Sequence, residues 1–148
     1  MKRISTIALT VLLTAAIAPS AISQEMKSPE VQAFEFRHAL FETIGWKMGK
    51  MVGAKMQKNK AAFQKEAGDM SFLAGLITEG FELKNNIPEG SAAKSAIWKD
   101  WETFEGKAKD FQAETKALAA SGDMDSFDPR DFGRKTCGGC HKDFKERN

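Results

Sequence analysis

The sequence predicts an all-α protein, an antiparallel up-and-down bundle of four helices. Three observations predict it. Apolar residues recur at helical spacing in four separate segments, and no segment alternates polar and apolar residues long enough to argue a strand. The clearest element starts, Ser28-Pro29 and Asp128-Pro129, each pair a capping side chain with a proline at the first helical position, where its missing N–H costs nothing.

Ahead of the first helix, Lys2 and Arg3 precede an apolar run from Ile7 to Ile17, and Ala21-Ile22-Ser23 offers the small residues at which signal peptides are cut. Residues 1–23 therefore read as a secretory signal peptide. The run is shorter than the about 20 apolar residues of a membrane span. Removing it leaves 125 of the 148 residues, one domain over residues 24–148. The 22 basic and 20 acidic residues become 20 of each, because Lys2 and Arg3 belong to the leader. No nucleic-acid partner is expected from that balance, and no membrane association after cleavage, since no later segment is continuously apolar.

The first helix is expected from Ser28-Pro29-Glu30 to about Val52, with Phe34, Phe41, Ile44 and Met48 on one face and Gly53 beyond its end. The second opens at Asn59 or Lys60 and carries Phe63, Ala67, Met70, Phe72, Leu73, Leu76 and Ile77 to about Phe81. Residues 82–95, which include Asn85-Asn86-Ile87-Pro88, have the composition of a connecting loop. A third helix over about residues 96–120 shows Ile97, Trp98, Trp101, Phe104, Ala108, Phe111 and Leu118 at helical spacing, with Gly122 placed to end it. The fourth, from Asp128-Pro129 towards the carboxyl terminus, carries Phe132, Cys137, Cys140, His141 and Phe144. The aromatic residues and most of the seven methionines fit core packing better than a metal surface.

The last helix holds both cysteines and one of the two histidines, in the stretch TCGGCHKDF. A redox dithiol would need its thiolate activated at a helix N-terminus after a strand, and these cysteines lie about two turns into a helix of an all-helical chain. A structural zinc site would need a fourth ligand beyond Cys137, Cys140 and His141. Cys-x-x-Cys-His is instead the attachment sequence of c-type haem. Two thiols add to the porphyrin vinyl groups as thioethers, and the adjacent imidazole binds the iron; Gly138 and Gly139 leave room for the macrocycle. Cys137 and Cys140 are thus the expected anchors of one haem c, and His141 its axial metal ligand.

Over essentially the whole mature chain the sequence resembles cytochrome c′, the class II c-type cytochromes. The resemblance rests on the late Cys137-Gly138-Gly139-Cys140-His141, on Phe36-Arg37-His38-Ala39-Leu40-Phe41 in the first helix, and on Ile97-Trp98 at the head of the third. It implies that Arg37 lies near a haem propionate, that Phe41 packs over the distal iron face, and that Lys145 lies near the proximal side. Relatives carry Leu or Met at the position of Phe41, and a low-spin subgroup takes a Met ligand from this helix; Phe41 cannot ligate iron.

The resemblance further implies a five-coordinate, high-spin iron in a periplasmic protein that binds NO and CO, with one-electron transfer to redox protein partners as a second capacity and no catalytic turnover. It also implies a homodimer formed through the first two helices. Arg37 and Phe41 are i and i+4 on one helix face, with His38 beside them. A second reading makes His38 or a methionine the sixth ligand of a low-spin electron carrier; otherwise His38 is a residue of the haem edge or of the solvent face.

Overall fold

The computed structural model describes residues 27–83 and 89–147. The signal peptide, Met26 and the Asn85-Asn86-Ile87-Pro88 stretch lie outside the described residues. Within them, the first helix, α1 (Pro29–Met56), starts as its sequence dictates, with the Ser28 hydroxyl accepting from Val31 N. It continues through Gly53 for one further turn. Lys58 then turns into the left-handed region at φ 52°, and Asn59 N donates back to Ala54 O at 2.9 Å. Asn59 also caps the next helix, α2 (Lys60–Gly75), by accepting from Ala62 N at 3.0 Å. One short link therefore closes α1 and opens α2 antiparallel to it.

The structure ends α2 earlier than the pattern of apolar residues suggests. Beyond Gly75 the chain makes a 3-10 turn over Glu79–Phe81, which presses Gly80 and Phe81 against α1 while keeping Ile77 buried. Burial of Ile77 and Phe81 is what makes the segment look helical in sequence. The expected third helix is also divided, into α3 (Ala96–Lys99) and α4 (Trp101–Ser121), by Asp100 at φ −130° and ψ 59°. The break lets α3 lean towards the chain's end. Gly122, at φ +61°, closes α4 as expected; a Cβ there would also meet Lys60 Cε at 2.5 Å.

Residues 122–128 return the chain to the bundle, and Lys55 Nζ holds them to α1 by donating to the carbonyls of Met124 and Phe127, both at 2.6 Å. Asp128 then caps α5 (Pro129–Gly133), accepting from Arg130 N and Asp131 N. A π-helical turn over Arg134–Gly138 follows and runs directly into α6 (Gly139–Phe144). The three segments form the fourth helical rod, and with α1, α2 and α3–α4 they complete the four-helix bundle. The chain end is pinned by an antiparallel bridge between Ala93 and Lys145, with Lys94 N donating to Phe144 O and Glu146 N to Ala92 O.

The core is built on Phe63, Phe104, Met51, Met70 and Ile97, all essentially without solvent contact, with the Phe63, Phe127 and Phe132 rings packed edge to face. One sequence assignment needs correction: Phe72 is 69% exposed rather than part of the α2 stripe. Phe41, expected over a distal face, is 39% exposed and lines a cavity. Among the described residues no helix is long and apolar enough to cross a membrane.

Candidate functional site

A cavity of about 370 Å³ opens between the N-terminal half of α1 and α6, with the turn at Phe81 and the heads of α3 and α4 as its further walls. Its size is that of a ligand or cofactor site, and its lining is predominantly apolar. Helical spacing places Arg37, His38 and Phe41 on its α1 side, while α6 and its end contribute Cys140, His141 and Lys145. Six residues singled out in the sequence, separated by a hundred positions, thus share one wall system. Cys137 is half-buried in the π turn and is not among the lining residues.

The attachment turn is held from two sides. Within its own rod, the Thr136 hydroxyl donates to Phe132 O at 2.8 Å. From α4, Lys107 Nζ donates to Gly139 O at 3.0 Å and pairs with Asp143 at 3.2 Å. The π turn widens the helix at the first cysteine, the kind of local irregularity that concentrates at functional sites. Cys137 and Cys140 are both free thiols, and burial pushes the Cys140 thiol above its ordinary 9.0, with Lys107 opposing. That is the opposite of the activation a redox dithiol needs. Among the described residues no three His, Cys, Asp or Glu side chains converge as a metal site would require.

His141 reaches the cavity, and burial, followed by the positive charge of Lys145, pushes its imidazole below the ordinary 6.5. The neutral imidazole is the form that binds a metal. On the α1 side, Arg37 is 5% exposed. Its Nη1 donates to Gly80 O at 2.6 Å, its guanidinium lies 4.8 Å from the Phe81 ring centroid, and its Nη2 is buried without a hydrogen-bond partner. Burial alone lowers its pKa. A buried cationic N–H left without an acceptor beside a cofactor-sized cavity calls for a carboxylate.

These residues fit a haem: Cys140 and His141 line the cavity where an anchor and an iron ligand would be needed, Cys137 lies on the adjoining turn, and Arg37 has an N–H without an acceptor that could take a carboxylate. His38 sits at the rim, with 63% of its side chain exposed and Nδ1 3.7 Å from Glu42. Sequence periodicity gave no sign of the walls supplied by Phe34, Phe81 and Phe104, which read there as core, or of Ser91–Ala93, which read as plain loop. Lys107 was hidden among the many solvated lysines; only its contacts distinguish it.

Comparison with known proteins agrees with this geometry. The family model described as cytochrome C' matches residues 32–145. Cytochrome c' of Halomonas halodenitrificans is 31% identical over 126 residues, covering 76% of this chain and 95% of the relative. The crystal structure of cytochrome c' from Rubrivivax gelatinosus superposes with a TM-score of 0.66 at 25% identity, covering 82% of this chain and all of that one. A ferrous variant of cytochrome c prime from Alcaligenes xylosoxidans, solved with bound NO, has the same fold at a TM-score of 0.66 and 22% identity, covering 83% of this chain and all of its own.

Proposed function

The chain belongs to the cytochrome c′ family, whose members carry one covalently bound haem c, and from that premise we propose that it is an exported, periplasmic protein that binds NO and CO at a five-coordinate, high-spin iron. A bound haem would supply a gas-binding iron and a one-electron couple. His141 would hold the iron as proximal ligand, and Cys137 and Cys140 would be the thioether anchors. Arg37 would pair its unpartnered Nη2 with a propionate, and Lys145 would keep positive charge beside the imidazole.

The observation that carries this reading is the α1 wall of the cavity. It offers Phe41, a side chain with no donor atom for iron, and no methionine is among the lining residues. His38, the remaining candidate for a sixth ligand, is largely solvated and engaged by Glu42. An apolar distal face gives no hydrogen bond to polarised O2, so neutral NO and CO are favoured. The solved relative with bound NO supports the same choice of ligand. The protein acts as a gas-binding and electron-carrying module without turnover, its partners being small gases and redox proteins.

The absorption and resonance Raman spectra of the reduced protein without added ligand test this. A high-spin spectrum is expected; a low-spin one overturns the five-coordinate assignment in favour of His38 or a methionine as sixth ligand. We also propose a homodimer joined through α1 and α2, where Trp46 and Phe72 are 61% and 69% exposed. Sedimentation equilibrium checks it, and a monomer at micromolar concentration overturns it.

A further inference from the structure

Arg37 is the most buried charged side chain among the described residues, and beside the Phe34 ring of its own helix, 5.9 Å from the guanidinium, its hydrogen bond comes from outside α1. Its Nη1 is fixed by the carbonyl of Gly80, in the turn that follows α2. Gly80 can stand there only because it has no side chain: a Cβ would lie 2.5 Å from Arg37 Cγ and 3.0 Å from Phe36 Cδ1. The next carbonyl along, that of Phe81, accepts from Trp98 Nε1 at 2.7 Å. The Phe81 ring lies under the guanidinium at 4.8 Å and against the Trp98 ring at 6.2 Å. Two adjacent carbonyls of the turn therefore take partners from two different helices, Gly80 O from Arg37 of α1 and Phe81 O from Trp98 of α3.

We propose that Gly80 and Trp98 are positioning residues for Arg37, acting through the Glu79–Phe81 turn to present the free Nη2 to a carboxylate in the cavity. The inference rests on the haem reading of that cavity, since the carboxylate is a haem propionate. Trp98 anchors the turn, the turn's Gly80 carbonyl orients Nη1, and the planar guanidinium transmits that orientation to Nη2. A buried cation near the haem favours the reduced state, which carries one positive charge fewer. Displacing the guanidinium should then lower the midpoint potential.

The test is a double-mutant cycle on the haem-loaded protein, combining Gly80→Ala with Arg37→Met and reading the midpoint potential by spectroelectrochemistry. Gly80→Ala should reduce the ferrous-to-ferric ratio at fixed ambient potential by about threefold or more, the scale of coupling between residues in direct contact. In the Arg37→Met background the same change should have no further effect. An equal shift with and without Arg37, or none with it, overturns the proposal. Trp98→Phe, which removes the indole N–H and keeps an aromatic ring, should shift the potential in the same direction and likewise only when Arg37 is present. If Gly80→Ala fails to load haem, the Trp98→Phe cycle decides alone. Because the potential is read without any gas, failure here is distinguishable from failure of NO and CO binding, while a wild-type chain that takes up no haem overturns the haem reading and this inference together.

Discussion

Lys107 Nζ donates to the carbonyl oxygen of Gly139, 3.0 Å away, in the short stretch between the two cysteines. A charged donor on α4 thus fixes the backbone on which both attachment thiols stand, and it also pairs with Asp143 one turn further on. Removing it by Lys107→Met should cost about 1–2 kcal/mol, the range of a hydrogen bond to a charged group in a partly exposed site. Urea denaturation of the loaded protein measures the loss, and the yield of covalent haem should fall with it. A variant as stable as the wild type would mean that the attachment turn is held by its own rod alone.

Phe41 is expected to obstruct gas entry rather than to bind anything. Phe41→Ala should raise the CO association rate of the reduced protein by about tenfold, equivalent to removing about 1.4 kcal/mol of barrier. Flash photolysis gives the rate. An unchanged rate would place the binding face elsewhere in the cavity.

The α1–α2 contact contains a charge cluster in which Lys47 Nζ meets Glu66 at 2.6 Å and Asp69 at 2.5 Å, with Lys47 and Glu66 side chains only 12% and 11% exposed. Hydrogen bonds from Lys47, then Lys65, hold the Asp69 carboxyl below its ordinary 3.8. Hydrogen bonds to Asp69, then Glu66, hold Lys47 above its ordinary 10.5. The Asp69 contribution is therefore present above pH 3.8 and lost as pH falls through its lowered value, while that of Lys47 is present below pH 10.5 and lost as pH rises through its raised value. Lys47→Met leaves Glu66 buried without its partner and should cost about 3 kcal/mol at neutral pH. The gap between variant and wild type should narrow on acidification as Asp69 protonates; a gap constant with pH in urea titrations would argue that packing, not charge, is lost.

Phe63 and Phe72 test how far the apolar stripe of α2 can be trusted. Phe63 is completely buried and packs on Phe127 at 5.2 Å, so Phe63→Ala should cost about 3–5 kcal/mol. Phe72→Ala should change monomer stability by no more than about 0.5 kcal/mol. Its effect should appear instead in the sedimentation of the proposed dimer.

The start signals Ser28-Pro29, Asn59 and Asp128-Pro129 were legible because a cap acts within three residues of itself, and the structure uses all three. Gly122 was legible for the same local reason. The early end of α2 and the break at Asp100 were not, since both are set by what the turn at Phe81 and α3 pack against, and periodicity records only that Ile77, Phe81 and Ile97 are buried. At the site, the attachment residues were readable as a motif and the α1 residues through family resemblance. The carbonyl of Gly80 and the ammonium of Lys107 carry no sequence signature, because a backbone acceptor has no residue type and a bonded lysine is spelled like a solvated one.

The π turn at Arg134–Gly138 means that the rod spends one residue more on that turn than an α-helix would. Its far end cannot rotate freely, because Phe144 and Glu146 are stitched by backbone hydrogen bonds to the segment before α3. Wound as ordinary α-helix with the same number of residues, the turn would carry Cys140 and His141 by about 100° around the rod, out of the cavity they line. The facing of the whole attachment sequence is thus fixed by how the rod is wound as much as by residue identity: a change that straightened this turn while sparing every cysteine, histidine and glycine of the motif would still misdirect it.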